Sequence, residues 1–361
     1  MSQKGRVLVA MSGGVDSSVA ALMLHEQGYE VIGFTLKTWD YSSSGSKHKE
    51  TGCCSLDSIN DARQVAVRMG FKHFVLDVRE EFEKKIVSNF IDEYLVGHTP
   101  NPCVLCNTFI KWELLLNKAD ATSCDYIATG HYACVREENK RFVLSKGIDE
   151  LKDQSYVLWG LKQSFLSRTI FPLGNITKTD IKSLARKSGF DNLSDKSESY
   201  EICFIPDDDY RSFLEYRIPG LKEKYNGGNY ISTNGKVIGK HKGYPFYTIG
   251  QRKGLNIATG TPMYVIEIIP DKNIIVLGTK DELIKTSLKV KNYNLIKYEN
   301  IPENIEVITK IRYKDHGTVS RLKQQHDFID IEFMGNVNAI APGQSAVFYE
   351  GKDVVGGGVI V

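Results

Sequence analysis

Up to residue 129 the chain alternates short apolar runs with helical patterns. Residues 6–11 (Arg-Val-Leu-Val-Ala-Met) read as a buried strand, 17–27 as a helix closed by Gly28, and 31–36 as a second strand. Ser55 is a natural N-cap for a helix through Met69, whose apolar positions Ile59, Ala62, Ala66 and Met69 share one face before Gly70. Residues 73–78 read as a third strand. Phe82, Ile86, Phe90 and Tyr94 mark a helix, a further helix covers about 107–119, and 125–129 gives a fourth strand. Strands alternating with helices imply a parallel sheet covered on both faces. Thr177–Ser188 reads as one more helix.

Beyond about residue 213 the rhythm changes. A segment rich in Gly, Tyr and Lys leads into short β-branched runs at 263–269, 274–277, 306–312, 328–333 and 346–349, separated by turn residues. The expected fold class is α/β, in three domains: a parallel-sheet domain over 1–212, a small central domain over 213–282 and a C-terminal β-barrel-like domain over 283–361. No internal repeat is visible.

Composition changes this picture little. Hydrophobic residues make up 42% and charged residues 25% of the 361, which is ordinary for a globular protein. The net charge of +2 hides an uneven distribution. Residues 214–256 carry eight Lys or Arg against two acids, and 285–323 carry nine against four. A basic face confined to the later domains suits a polyanion, although a solvated surface has the same charge pattern. No run of about 18 apolar residues suggests a membrane span, and no secretory pattern opens the chain, so a cytoplasmic location is expected. The seven cysteines cluster at Cys53-Cys54 and Cys103-x-x-Cys106, with Cys124, Cys134 and Cys203 apart. That pattern favours chemistry or metal binding over a disulfide framework.

The sharpest motif is Ser12-Gly13-Gly14-Val15-Asp16-Ser17-Ser18, between the first strand and the first helix. Open α/β sheets bind ligands at the carboxyl ends of their strands. Glycines let backbone N–H groups approach phosphate oxygens, serines add donors, and the helix N-terminus adds partial positive charge. No Gly-Lys-Ser/Thr follows, so this is not a P-loop, and it is not the Gly-x-Gly-x-x-Gly fingerprint. The loop resembles that of the N-type ATP pyrophosphatases, which cleave ATP to AMP and pyrophosphate.

Thr99-Pro100-Asn101-Pro102-Cys103-Val104-Leu105-Cys106-Asn107 joins two helices. With Asn107 as a cap, Cys106 would sit near a helix N-terminus, where a thiolate is stabilised. Cys203, in Ile202-Cys203-Phe204-Ile205-Pro206, follows a polar run. Cysteines 53, 54, 103 and 106 offer a four-thiolate zinc site, although adjacent cysteines serve such a site poorly. Cys103, Cys106 and Cys203 offer three ligands to an iron–sulfur cluster. His241 reads as a turn or phosphate-binding residue, and His131 as either a contact or a satisfied structural histidine.

With Gly52–Ser55, Thr129-Gly130-His131-Tyr132-Ala133, Lys152-Asp153-Gln154-Ser155-Tyr156 and Tyr247–Leu255 added, the chain resembles the bacterial-type tRNA-specific 2-thiouridylases over essentially its full length. That resemblance implies a transferase that binds ATP and Mg²⁺ and thiolates the wobble uridine of the tRNAs for Lys, Glu and Gln. It implies Cys203 as the persulfide carrier and Cys106 as the cysteine that releases product by closing a disulfide with it. It places Ala10, Met11, Ser12, Gly13, Gly14, Val15, Asp16, Ser17, Leu36 and Gly130 against ATP, with Asp16 near the metal. It places Asn101, Pro102 and Cys103 at the target base, and His131, Lys152, Asp153, Gln154, Arg312, Tyr313 and Gln344 at tRNA. The implied partners are tRNA and a persulfide-relay protein or cysteine desulfurase. Two positions depart from the family pattern: Cys103 stands where Asp is common, and Leu36 where Met is common. Two rivals are an ATP-dependent amide-forming synthetase, which needs neither cysteine, and a tRNA-binding protein with a decayed site, which the intact loop opposes.

Overall fold

A computed structural model describes residues 4–40, 55–196, 202–205 and 208–361. The adjacent Cys53 and Cys54 therefore lie outside the described residues. The chain divides into two compact units. The first comprises Met1–Ile86, Cys103–Asp208 and Lys352–Val354; the second comprises Val87–Pro102, Asp209–Gly351 and Val355–Val361.

The first unit is built on a parallel sheet of β1 (Arg6–Ala10), β2 (Glu30–Lys37), β3 (Lys72–Asp77), β4 (Tyr126–Thr129) and the short β7 (Thr169–Ile170), in the order β3-β2-β1-β4-β7. Between β4 and β7 the chain makes a hairpin of β5 (Ala133–Glu138) and β6 (Arg141–Lys146). Helix α1 (Val15–Glu26) follows β1, and α2 (Leu56–Met69) precedes β3. Val7, Val9, Val19, Leu24, Ala62, Val65 and Ile181 form one buried cluster between sheet and helices. Ser55 caps α2 by accepting from Ser58 N–H, as its position before an apolar 3.6-residue pattern demands. The chain leaves β1 toward β2 and β3 on one side and returns to β4 on the other. The loops after β1 and β4 thus flank the topological switch point, where open α/β sheets bind ligands.

The second unit holds two sheets. The first is β10-β11-β8-β9, formed by β8 (Gly228–Ser232), β9 (Val237–His241), β10 (Tyr264–Ile269) and β11 (Ile274–Gly278), with only β8 and β11 parallel. The second is a closed barrel of β12 (Ile284–Leu295), β13 (Glu306–Lys310), β14 (Thr318–Gln324), β15 (Phe328–Asn338), β16 (Ser345–Glu350) and β17 (Asp353–Ile360), in which β12 pairs with both β15 and β17. Val290, Val307, Ile329, Ile331, Phe348 and Ile360 fill its interior.

One local expectation is overturned. The helix predicted from Asn107 begins at Pro102, which suits a first helical position because it has no N–H to leave unpaired. The helix widens into a π-helical turn over Cys106–Trp112 before resuming at Glu113–Ala121. Asn107 is no cap; it is buried and donates through Nδ2 to Val157 O at 3.0 Å.

Candidate active site

The loop between β1 and α1 is stapled from within. Ser12 N–H donates to Ser17 Oγ at 3.0 Å, the two hydroxyls lie 3.3 Å apart, and Ser18 Oγ donates to Gly14 O at 2.9 Å. Gly13 has φ +70° and lies so close to α2 that a Cβ would meet Ser58 O at 2.0 Å. A Cβ on Gly130, just after β4, would meet Ser17 N at 2.7 Å. Neither position has room for a side chain. These backbone approaches bring the loops after β1 and β4 together around the N-terminus of α1, a ready anion site.

Asp16 lies in the first turn of α1. Lys178 Nζ contacts its two oxygens at 2.7 and 2.8 Å, and Tyr132 OH donates to Oδ1 at 2.6 Å. The nearly buried Lys178 opens its helix behind the Thr177 N-cap. A cation there opposes the helix macrodipole, so a lysine at that position signals an anion to be met. Sequence reasoning assigned no role to Lys178, and none to Tyr132 beyond the Thr129–Ala133 motif. Mg²⁺ binds through one or two carboxylates completed by phosphate oxygens and water, and Asp16 fits that pattern as a single carboxylate. Among the described residues no group of three His, Cys, Asp or Glu could hold a metal ion. Cys103, Cys106 and Cys203 lie among those described residues, each as a reduced thiol.

From Asp16 a polar chain runs toward the cysteine-bearing helix. Tyr132 N–H donates to Gln154 Oε1 at 3.1 Å, and Asp153 accepts from Gly147 N–H, Ser155 N–H and Ser155 Oγ. The Ser155–Leu158 turn that follows carries Val157, the acceptor for Asn107. The π-helical turn ends at buried Trp112, which packs on His131 (centroids 5.6 Å apart) and donates to Thr169 Oγ1. π-Helical turns concentrate at functional sites; this one sets half-buried Cys106 at its start and anchors its end beside Gly130.

Cys203 is exposed, whereas its neighbour Phe204 is buried between Trp39 and Phe82, with centroids 5.9 and 5.6 Å away. Trp39 lies two residues past β2, whose Leu36 is half-buried. The first unit therefore docks the Cys203 turn at the carboxyl edge of the sheet that carries the phosphate loop. His131 is buried and bonded through Nδ1 to Thr129 Oγ1 at 2.8 Å; burial, with Lys111 adding, pushes its pKa well below the imidazole range. Protein mass around Cys103 raises its thiol pKa even though the side chain reaches the surface, with Lys111 opposing. Lys152 is half-buried.

In the second unit, Gln344 Nε2 donates to the carbonyls of Thr99 and Pro100, both at 3.0 Å, and Thr99 N–H donates to Pro342 O at 2.8 Å. Half-buried Asn101 and buried Pro102 follow directly. Arg312 and Tyr313 are exposed between β13 and β14. His241 is no phosphate ligand. It is buried, its Nδ1 accepts from Gly243 N–H at 3.0 Å and its Nε2 donates to Asn273 O at 3.2 Å.

A doubly wound sheet with an anion-binding loop at its switch point is the frame of a nucleotide-using enzyme, and here two β domains follow it. Family models match along the chain in that order: the tRNA methyl transferase HUP domain over residues 5–207, the tRNA methyl transferase PRC-barrel domain over 211–279 and the aminomethyltransferase beta-barrel domain over 285–360. The chain belongs to the tRNA-specific 2-thiouridylase family. It is 60% identical to the tRNA-specific 2-thiouridylase MnmA of Cytophaga hutchinsonii, covering 100% of this chain and 98% of that one. It is 59% identical to that of Amoebophilus asiaticus (99% and 96% covered) and 54% identical to that of Salinibacter ruber (100% and 95% covered).

Proposed function

We propose that this chain replaces the C2 oxygen of a tRNA wobble uridine with sulfur, at the expense of ATP. The observation that carries the reading is the placement, in one unit, of a phosphate loop at Ser12–Ser17 and an exposed cysteine, Cys203, tethered to the same sheet edge through Phe204. An amide-forming synthetase has no use for that tether.

The chemistry follows from leaving groups. A urea-like carbonyl oxygen leaves poorly. Attack by that oxygen on the α-phosphate of ATP expels pyrophosphate and converts it to an adenylate, so that AMP can leave. Backbone N–H groups of the loop and the N-terminus of α1 hold the phosphates, and Asp16 would hold Mg²⁺, which supplies charge neutralisation there. Cys203 carries a persulfide received from a relay protein or a desulfurase. Its terminal sulfur bonds to C2 and AMP departs with the uridine oxygen. The Cys106 thiolate then attacks Cys203 Sγ, which closes a Cys106–Cys203 disulfide and frees 2-thiouridine. An external thiol must reduce that disulfide before the next turnover.

The substrate is a tRNA of the Lys, Glu or Gln type. Asn101, Pro102 and Cys103 meet the flipped base, which is least costly to extrude from a single-stranded loop. Lys152, Asp153, Gln154, Arg312, Tyr313 and Gln344 belong to the tRNA-binding part of the reading, with His131 buried behind the contact surface. The basic 214–256 segment grips the phosphate backbone.

The test is thiolation of tRNA with ATP, Mg²⁺ and a persulfide donor, read as 2-thiouridine in digested tRNA. Wild type is expected to form product, and Cys106→Ser and Cys203→Ser are expected to form none. Product that survives loss of Cys203 would remove the persulfide role.

A further inference from the structure

Thr35 and His73 have no part in the reading above, yet they stand directly behind the point where the phosphate loop leaves the sheet. The paired register of β1 and β2 ends at Ala10 and Phe34. One residue on, Met11 N–H still donates to Phe34 O at 2.7 Å. The Met11 carbonyl takes a donor from a side chain: Thr35 Oγ1 on β2, at 2.7 Å. Thr35 is buried, so losing its hydroxyl would leave that carbonyl short of a donor away from water.

Behind the threonine lies His73 of β3, with Nε2 2.9 Å from Thr35 Oγ1. A hydroxyl has one hydrogen, and a carbonyl only accepts. Thr35 spends its hydrogen on Met11 O, so its oxygen accepts from His73, whose proton therefore sits on Nε2. Nδ1 is buried with no hydrogen-bond partner among the described residues, and a second proton there would be unsatisfied. Burial, with Arg63 adding, accordingly holds the His73 pKa below the ordinary imidazole value. Gly33, opposite His73 in the register, leaves the space for this contact. A Cβ there would meet Met11 Sδ at 2.8 Å and His73 Cδ2 at 3.1 Å.

The peptide that joins Met11 to Ser12 is thus held at both ends. Its C=O accepts from Thr35 Oγ1, and its N–H donates to Ser17 Oγ at 3.0 Å. A planar peptide gripped at both oxygen and hydrogen keeps one orientation. It is the peptide from which the loop departs, and the N–H donors of an anion-binding loop work by their direction. Leu36, expected against ATP, follows Thr35 directly on β2. The hydroxyl therefore ties together the two strands that bear on the nucleotide.

We propose that Thr35 and His73 are positioning residues for ATP: neutral His73 directs the Thr35 hydroxyl onto the Met11 carbonyl, and that bond sets the first peptide of the phosphate loop. This rests on the reading of the loop as an ATP site. It makes β3, which carries none of the expected nucleotide contacts, part of the nucleotide site through a two-bond relay.

The test uses the full chain as wild type, Thr35→Val, Thr35→Ser, His73→Leu, His73→Gln and the double variant Thr35→Val/His73→Leu. The readout is tRNA-dependent pyrophosphate exchange with ATP and tRNA varied in turn, beside a thermal melt of each protein. Thr35→Val keeps the shape and removes the hydroxyl, so KM for ATP is expected to rise about fivefold, the worth of one hydrogen bond, with kcat and KM for tRNA near wild type. Thr35→Ser keeps the hydroxyl and is expected to restore KM for ATP even where its melt is lowered. His73→Leu is expected to raise KM for ATP less than Thr35→Val, and His73→Gln, which can still donate, to recover part of that rise. The double variant is expected to match Thr35→Val, because His73 acts only through the threonine. Thr35→Val with a wild-type KM for ATP overturns the proposal, as does an equal rise in Thr35→Ser and Thr35→Val, which would assign the effect to packing. Additive effects in the double variant overturn the relay. If Thr35→Val folds poorly, the two His73 variants decide: equal KM for ATP in His73→Leu and wild type overturns the role of the histidine. Wild type without any exchange removes the ATP-site reading itself and the proposal with it.

Discussion

Lys178 Nζ lies against both oxygens of Asp16, at 2.7 and 2.8 Å, from a helix that begins more than 150 residues later in the chain. The nearly buried ammonium cancels the one carboxylate in the first turn of α1. Before Mg²⁺ is present the pair is neutral, and Lys178 holds in place the carboxylate that would take the metal. Lys178→Met strips that cancellation while keeping the aliphatic stem. The expected outcome is a fall of at least about tenfold in pyrophosphate exchange, carried by KM for ATP, because one removed charge-assisted bond is worth about 1.5–3 kcal/mol. Tyr132→Phe removes only a neutral donor and is expected to cost less. Equal exchange by Lys178→Met and wild type would show that Asp16 needs no countercharge.

Gln344 holds the two carbonyls that precede Asn101. Gln344→Ala is expected to leave KM for ATP unchanged and to lower kcat/KM for tRNA by about ten- to a hundredfold, the loss of two hydrogen bonds at roughly 1 kcal/mol each plus the disorder that follows. Gln344→Glu removes the Nε2 donor and aims a carboxylate at two carbonyl oxygens, so it is expected to be at least as damaging. Steady-state kinetics with each substrate varied in turn reads the two effects separately.

The parallel sheet was legible because its strands are continuous apolar runs bounded by helices with caps at Ser55 and Thr177. The phosphate loop was legible because its glycines and serines lie together in sequence. The polar strands of the barrel were not. Thr309 and Ser320 are fully buried and hydrogen bonded to each other across β13 and β14 at 2.6 Å, so β14 presents little apolar alternation to read. Nor does β12 announce itself, since Leu288 and Val290 point inward between lysines. Lys178 and His73 escaped because each bears on the loop across a long stretch of chain, and no local pattern marks such a contact.

Histidine burial predicts how stability responds to acid. The His241 pKa is lowered to about 4 by burial, against an ordinary 6.5, and His131 shifts in the same direction. A neutral buried imidazole that protonates only on unfolding contributes no pH dependence above about 6.5. As pH falls from there toward 4, the unfolded chain takes up the proton first and the folded state loses ground. For His241 that loss is of order 3 kcal/mol at pH 4, since one pKa unit is about 1.4 kcal/mol. Thermal melts between pH 7 and 4.5 should show a falling Tm, and His241→Gln, less stable at pH 7, should show a shallower slope. Parallel slopes would assign the acid sensitivity elsewhere.

Phe204 offers a way to separate adenylation from sulfur transfer. Its ring is fully buried against Trp39 and Phe82, and the exposed Cys203 precedes it directly. Phe→Ala at such a site removes about 3–5 kcal/mol of packing. In Phe204→Ala that loss falls on a short turn, which makes local detachment cheaper than unfolding of the sheet. The phosphate loop, fixed by Gly13 on Ser58 and by Lys178 on Asp16, does not depend on this ring. Phe204→Ala is therefore expected to keep ATP–pyrophosphate exchange within about threefold of wild type and to lose most thiolation, whereas Phe204→Leu, which fills more of the pocket, should recover part of it. Quenched reactions of Phe204→Ala should then contain adenylated tRNA without 2-thiouridine. Exchange and thiolation falling together would instead mean that the ring supports the whole sheet edge, and that Cys203 has no anchor of its own.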